Sequence, residues 1–301
     1  MPELPEVETI RRQLAPAVTG RTLTGVEILD ARWCEPLAPA ELVDVLEGRR
    51  VRALGRRGKY LDWDLEEEVH LLMHLRMTGT LLLDPRELPP HTRVRIELDG
   101  EHQLAFVDPR RFGTGQLVVG EVALEAFYAA RLGVEPFAAE FTPELLRALA
   151  RGRRSPIKAF LLDQRMIAGV GNIYADEALF RSGVHPRRRA GSLRPAQYAL
   201  LRDAVREVLA AGIDARGASI DDFRHLDGAR GSFQDLFLVH RREGEPCVRC
   251  GTPIRKMFVG GRGTYVCLRC QPPPRPGRAE VAPGVRASGP PARPGGPSGR
   301  R

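Results

Sequence analysis

The order of hydrophobic and polar positions divides the chain into three regimes. Residues 3–15 carry Val7, Ile10 and Leu14 at helical spacing, with Pro5 tolerated in the first turn and Glu6 and Glu8 suited to the positive end of the helix dipole. From residue 20 to 119 the period shortens. Segments 22–28 and 94–98 alternate, the latter before the turn Asp99-Gly100, and 69–75, 80–83, 103–107 and 116–119 are short apolar runs. Short strands broken by turn signals predict a β-sandwich or barrel. From about 122 to 225 helical spacing returns, over 121–132, 143–150, 155–162, 172–182 and 195–211. The sequence therefore predicts an α+β protein: an N-terminal helix with a β-sandwich over 2–130, then a helical domain over 131–236.

The pattern changes again near the end. Cys247-x2-Cys250 and Cys267-x2-Cys270 are separated by sixteen residues, which matches a structural zinc site in which each pair supplies two thiolates. Between them, Lys256-Met257-Phe258-Val259-Gly260-Gly261-Arg262-Gly263-Thr264-Tyr265 predicts a β-hairpin with Arg262 at its tip, so 237–271 reads as a finger. Two disulfides are the competing reading. The start of the chain has no basic or apolar stretch of a secretory signal, which favours one structural Zn2+ in a reducing, cytoplasmic setting. Four thiolates leave no open position for water, so a catalytic metal is not expected. Cys34 is the odd thiol and reads as a packing residue. Residues 217–235 are glycine-rich and read as a loop, and 272–301 as a disordered, basic Pro/Gly/Arg tail.

The 301 residues hold 46 Lys and Arg against 38 Asp and Glu, a net charge of +8 that points to a polyanionic partner. No window approaches the apolar length of a membrane span, so no membrane partner is expected. Three stretches interrupt the strand region: Arg56-Arg57-Gly58-Lys59-Tyr60, the loop at Met77, and Asp108-Pro109-Arg110-Arg111-Phe112-Gly113. Each alone is a solvated charge cluster or an apolar residue folded onto the core, but Met, Arg and Phe exposed together would suit a wedge between stacked bases. Gly169-Val170-Gly171-Asn172 allows a tight turn with close backbone approach, with Asn172 as the cap of a helix whose free N–H groups could face a phosphate. Met1 precedes a small residue and would ordinarily be removed. Pro2 would then offer a secondary amine whose pKa lies near 8, partly unprotonated and nucleophilic at neutral pH, with the Glu3 carboxylate beside it. The plain alternative is a rigid, acidic helix start.

In order along the chain, Pro2-Glu3-Leu4-Pro5-Glu6-Val7-Glu8-Thr9, Arg57-x-Lys59-Tyr60-Leu61, His74-Leu75-x-Met77-x-Gly79, Asp108-Pro109-Arg110-Arg111-Phe112-Gly113, Gly169-Val170-Gly171-Asn172-Ile173-Tyr174-Ala175 and the finger resemble bacterial formamidopyrimidine-DNA glycosylase, over residues 2 to about 271. The resemblance implies a monomeric, bifunctional base-excision repair enzyme acting on double-stranded DNA that contains oxidised purines or abasic sites. It implies Pro2 as nucleophile, Glu3 and Lys59 as acid/base groups, and Arg262 as the residue of the δ-elimination step. It implies Met77, Arg110 and Phe112 as the side chains that fill the void of an extruded base, and His91, Arg153, Lys158 and Asn172 as phosphate contacts on or near a helix–two-turns–helix element. Glu177 would be a structural acid of that element. The 217–235 loop would close over the base. The sister endonuclease-VIII type, for oxidised pyrimidines, begins PEG and lacks the Met-Arg-Phe triad, and a silent DNA-binding paralogue would not need the reactive set. Arg76, where the family often has glycine, and Arg153, often lysine, are departures.

Overall fold

A computed structural model describes residues 2–100, 102–219, 226 and 228–274. The chain begins with α1 (Leu4–Val18), followed by β1 (Leu23–Ile28), α2 (Pro39–Leu46), β2 (Val51–Arg57), β3 (Tyr60–Leu65), β4 (Val69–His74), β5 (Thr80–Leu83), β6 (Thr92–Leu98), β7 (His102–Val107) and β8 (Thr114–Val119). Helices α3 (Glu121–Ala129), α4 (Pro143–Ala150), α5 (Ile157–Leu162), α6 (Asn172–Arg181) and α7 (Pro195–Asp214) follow, and the hairpin β9 (Arg255–Val259) and β10 (Arg262–Val266) closes the described chain.

The strands form two antiparallel four-stranded sheets, ordered β1-β6-β7-β5 and β2-β3-β4-β8. Their inner faces share one core, with Val26, Ile96, Leu104 and Phe106 from one sheet and Leu61, Trp63, Leu71 and Met73 from the other. Val7, Ile10, Leu14 and Val18 of α1 complete it, which is the helical stripe of the sequence put to use. Strand β4 is buried at every position because it is covered twice. Leu71 and Met73 face the sandwich, and Leu72 packs with Tyr60, Leu124 and Tyr128 beneath α3. The expected sandwich is thus present.

Two elements escaped the sequence reading. Helix α2 is short and amphipathic, with only Leu42 and Leu46 buried. Strand β2 has too few apolar positions to signal itself, and a register shift between Val51 and Ala53 breaks its alternation.

A second core joins α4 to α7, and the finger packs a small cluster of its own, Phe180, Val239, Cys247, Ile254 and Cys267. Helix α1 bridges the first two cores. Its body lies in the sandwich, while Leu4, its first residue, belongs to the helical core. No helix among the described residues is long and apolar enough to cross a membrane. Part of the expected loop, 220–225 and 227, and the tail from 275 lie outside the described residues.

Because α1 serves the sandwich through one stripe, cutting that stripe has a defined cost. Ile10 is fully buried, and Ile10→Ala is expected to lower stability by about 2–5 kcal/mol in urea unfolding, with the slope unchanged.

Candidate active site

The two residues after Met1 are buried where α1 meets the helical core. Leu4 donates its backbone N–H to the carbonyl of Gly169 (3.1 Å). Gly169 has φ +83°, and a Cβ there would lie 2.6 Å from Leu4 Cδ1, so the turn before α6 is glycine for both reasons. Glu3 begins α1 through a capping box: its own N–H donates to Glu6 Oε2 (2.8 Å).

The Glu3 side chain then crosses to the other core. Oε1 accepts the Ile173 backbone N–H of α6 (3.1 Å). The free N–H groups at this helix start hold a carboxylate of the same chain. A Cβ on Gly171 would lie 2.1 Å from Glu3 Cδ, so only glycine lets the carboxylate in. Glu3 Oε2 is buried and has no hydrogen-bond partner among the described residues. Gly171, and not Asn172, is the cap of α6. Asn172 instead points its side-chain amide at the finger, donating to the carbonyl of Gly263 (3.1 Å).

Glu6 is buried behind Glu3. It accepts from Tyr174 Oη (2.7 Å) and from the Ala218 backbone N–H (2.8 Å). Burial, followed by the neighbouring charge of Glu3, raises its pKa above the ordinary carboxylate value, although the hydrogen bonds oppose this.

Lys59 sits in the β2–β3 turn and is only 4 % exposed. Glu135 holds this turn, accepting the Gly58 N–H and pairing with Arg56 at 3.0 Å, and Arg56 also reaches Glu8 at 3.2 Å. Burial lowers the Lys59 pKa below that of an ordinary lysine. Glu3 and Glu6 pull it back up, and Arg262 pushes it further down. Glu3 of the helix start and Arg262 of the finger therefore each lie within electrostatic reach of Lys59 of the sandwich.

Arg262 is exposed and follows the Gly260-Gly261 turn of the hairpin. Lys158 fixes the hairpin from below. It is fully buried, pairs with Asp176 at 2.7 Å, and donates to Gly263 O (3.0 Å) and Thr264 Oγ1 (2.8 Å). His240 joins the other Asp176 oxygen at 2.9 Å. As placed, Lys158 binds finger to helices and presents nothing to solvent. Glu177 beside it accepts the backbone N–H groups of Leu238, Val239 and His240, a structural role as expected. Asp176 and His240 were missed in the sequence. The available signal was an acid in a helix otherwise buried over Ile173–Phe180, which demands a buried partner.

His91, Arg110, Phe112 and Arg153 are exposed, and Met77 is half-buried. The Arg110 guanidinium lies over the Phe112 ring, 5.0 Å from its centroid. Arg153 lies in the exposed 151–155 segment before α5. The sequence-derived contact set is thus on the surface except for Lys158, and for Asn172, whose amide is engaged by the finger.

The four thiols of Cys247, Cys250, Cys267 and Cys270 all lie within 4.8 Å of one another, and none is in a disulfide. Two sulfur separations are 3.9 and 3.5 Å. A tetrahedral ion with bonds of about 2.3 Å requires sulfurs about 3.8 Å apart, so the donor set and its size fit zinc. Arg249 and Cys270 N–H groups point at Cys247 and Cys267 sulfurs, as expected around thiolates.

A sandwich and a helical domain joined through the amino-terminal helix, with a four-cysteine finger bringing arginine to the junction, define a DNA glycosylase of the helix–two-turns–helix class. Profiles of the formamidopyrimidine-DNA glycosylase N-terminal domain, its H2TH domain and the zinc finger found in FPG and IleRS match residues 1–115, 132–224 and 244–273. Formamidopyrimidine-DNA glycosylase of Syntrophotalea carbinolica is 45 % identical over 90 % of this chain and all of its own. The crystal structure of MutM (Fpg) from Thermus thermophilus is 44 % identical, covers 90 % of this chain and 98 % of its own, and superposes with a TM-score of 0.81. Lactococcus lactis Fpg in complex with DNA containing an abasic site is 34 % identical over 90 % of this chain and all of its own, with a TM-score of 0.84. The chain belongs to the formamidopyrimidine-DNA glycosylase family, and it is a DNA glycosylase with the AP lyase activity of that family, carrying the family's zinc-finger motif.

Two consequences are measurable. Gly171→Ala should keep the far-UV spectrum but slow base excision by about a hundredfold or more, because the carboxylate beside Pro2 is displaced. Lys59 should cost stability. Its folded pKa is depressed, so the penalty is fully present below that pKa, fades as pH rises from it towards the ordinary 10.5, and is gone above 10.5. Lys59→Met is therefore expected to be more stable than the parent at neutral pH and no more stable above pH 10.5, by denaturant titration at each pH.

Proposed function

We propose that this enzyme excises oxidised purines, 8-oxoguanine and formamidopyrimidines, and then cuts the abasic site by β- and δ-elimination through a Schiff base on Pro2. The observation that carries the reading is the Glu3 carboxylate. One oxygen is fixed to the start of α6, and the other is buried without a hydrogen-bond partner among the described residues, on the residue that follows Pro2 in the chain. With Met1 removed, the Pro2 amine attacks C1′ of the damaged nucleotide. The glycosidic bond breaks, the base leaves with the electron pair and takes up a proton, and an iminium remains on the opened sugar.

Glu3 supplies a proton to the ring oxygen as the sugar opens. Lys59, whose burial favours the uncharged amine, is the second acid/base group near the sugar. Loss of the C2′ proton expels the 3′ phosphate, and a second elimination expels the 5′ phosphate. Arg262 clamps the phosphate, since a guanidinium rarely gives up a proton.

Met77, Arg110 and Phe112 fill the space of the extruded base, with Arg110 facing the widowed cytosine. His91, Arg153 and Asn172 contact phosphates. Lys158 does so indirectly, by holding the finger. One structural Zn2+ sits on the four cysteines, and the enzyme works as a monomer. A mutant of Lactococcus lactis Fpg is in complex with Fapy-dG-containing DNA in one related structure, which supports the purine class. Another holds DNA with an oxidised pyrimidine, so that class is a necessary control.

The test is borohydride trapping on a duplex with 8-oxoguanine opposite cytosine, followed by peptide mapping. A covalent adduct at Pro2, with both elimination products in the untreated reaction, is expected. Tight binding without an adduct would make the chain a silent binder, and an adduct with oxidised pyrimidines alone would place it with the sister type.

A further inference from the structure

Asp108 has no assigned part in the chemistry, yet it organises the DNA-facing loops of the sandwich. It is fully buried at the exit of β7. Its Oδ1 accepts the Thr78 hydroxyl and the Arg110 N–H, the latter at 3.2 Å. Its Oδ2 accepts the N–H groups of Phe112 (2.8 Å) and Gly113 (2.7 Å). The backbone is engaged as well. Asp108 N–H donates to the carbonyl of His91 (3.0 Å), and its own carbonyl accepts both Arg93 Nε and Nη2 at 2.9 Å. Arg93 is held in turn by Asp30 at 3.2 Å. A Cβ at Gly113 would come within 2.5 Å of Phe106 Cζ and 3.1 Å of Asp108 Oδ2, so the loop can wind this tightly only with glycine there.

These contacts connect two loops that are distant in sequence. Thr78 is the neighbour of Met77, while Arg110 and Phe112 bracket the other loop. Phe112 is 50 % exposed, and a large apolar side chain presented to water in this way needs a rigid backbone to keep it from folding back onto the core. Four donors converging on one buried carboxylate supply that rigidity, because hydrogen bonds to an ionised acceptor are the strong ones. An amide at this position would turn a donor towards donors.

We propose that Asp108 is a positioning residue for base extrusion: through the Thr78 hydroxyl it locks the Met77 loop to the Arg110–Phe112 loop, so that the three side chains enter the duplex as one unit. This rests on the void-filling role proposed above for those three residues.

The test compares two substrates that differ in whether a base must leave a stack. One is a duplex with 8-oxoguanine opposite cytosine. The other is a single strand with a preformed abasic site, which has no stacked partner to displace. Thr78→Val removes only the hydroxyl, Thr78→Ser retains it, and Asp108→Asn changes the hub. Thr78→Val is expected to slow single-turnover excision from the duplex about tenfold while cutting of the single strand stays within about twofold, with Thr78→Ser restoring the duplex rate. Asp108→Asn should shift the ratio further in the same direction. Equal slowing on both substrates, or a parental duplex rate in Thr78→Val, would overturn the proposal. The Thr78 variants decide the matter even if Asp108→Asn does not fold. Parental enzyme that cuts neither substrate and traps with neither would overturn the underlying chemical reading together with this one, and so is distinct from failure of the hub alone.

Discussion

The carboxylate of Glu3 on the first turn of α6 is the contact on which the rest of the molecule depends. It joins the start of the amino-terminal helix to the helix start of another core, 170 residues further on. The N–H at a helix start carries partial positive charge, so it holds a carboxylate well. That anchor fixes the amino terminus at the seam between sandwich and helical domain. Two glycines make it possible: Gly169 admits Leu4, and Gly171 admits Glu3. Burying the carboxylate costs solvation, and using only one of its oxygens leaves the other without a hydrogen-bond partner among the described residues. Such incomplete satisfaction in a core is unusual and is tolerated where chemistry needs it.

A second constraint places the finger. The Lys158–Asp176 pair is fully buried, so its members are bound as much by the cost of separation as by attraction. Its remaining donors go to Gly263 and Thr264, the two residues after Arg262. Arg262 therefore lies exposed on a hairpin whose base is locked to the helices. The pull of Glu3 on Lys59, and the push of Arg262 against it, come from this convergence of three elements. Lys59 stays buried among both signs of charge because the sandwich turn that carries it is tied down by Glu135 and Arg56.

Much of this was legible in the residues. The helical stripe of α1, the apolar runs of the strands and the spacing of the cysteines each have a local cause, and each appears where its period placed it. The reading failed where the deciding partner lies far away in sequence. Asn172 looks like a cap, since asparagine caps helices well. It is instead the first residue of the helix, with Gly171 as the cap, and its own amide finds Gly263. The resemblance marks Lys158 as a phosphate contact, and its ammonium turns inward because Asp176 lies one helix away.

The sequence by itself determined the periodicities, hence the α+β class, the sandwich and the finger, and it supplied the family's motifs in order. These are local properties: side-chain pattern, turn chemistry and the spacing of metal ligands. Only the tertiary structure decided which of those residues meet. It set Glu3 on α6, gave Lys59 its buried and shifted amine, and turned Lys158 from the surface to the finger. It also gathered two loops around Asp108. Each of these depends on pairing groups from distant segments in a low-dielectric interior, where a partner within reach decides the role of a charged side chain.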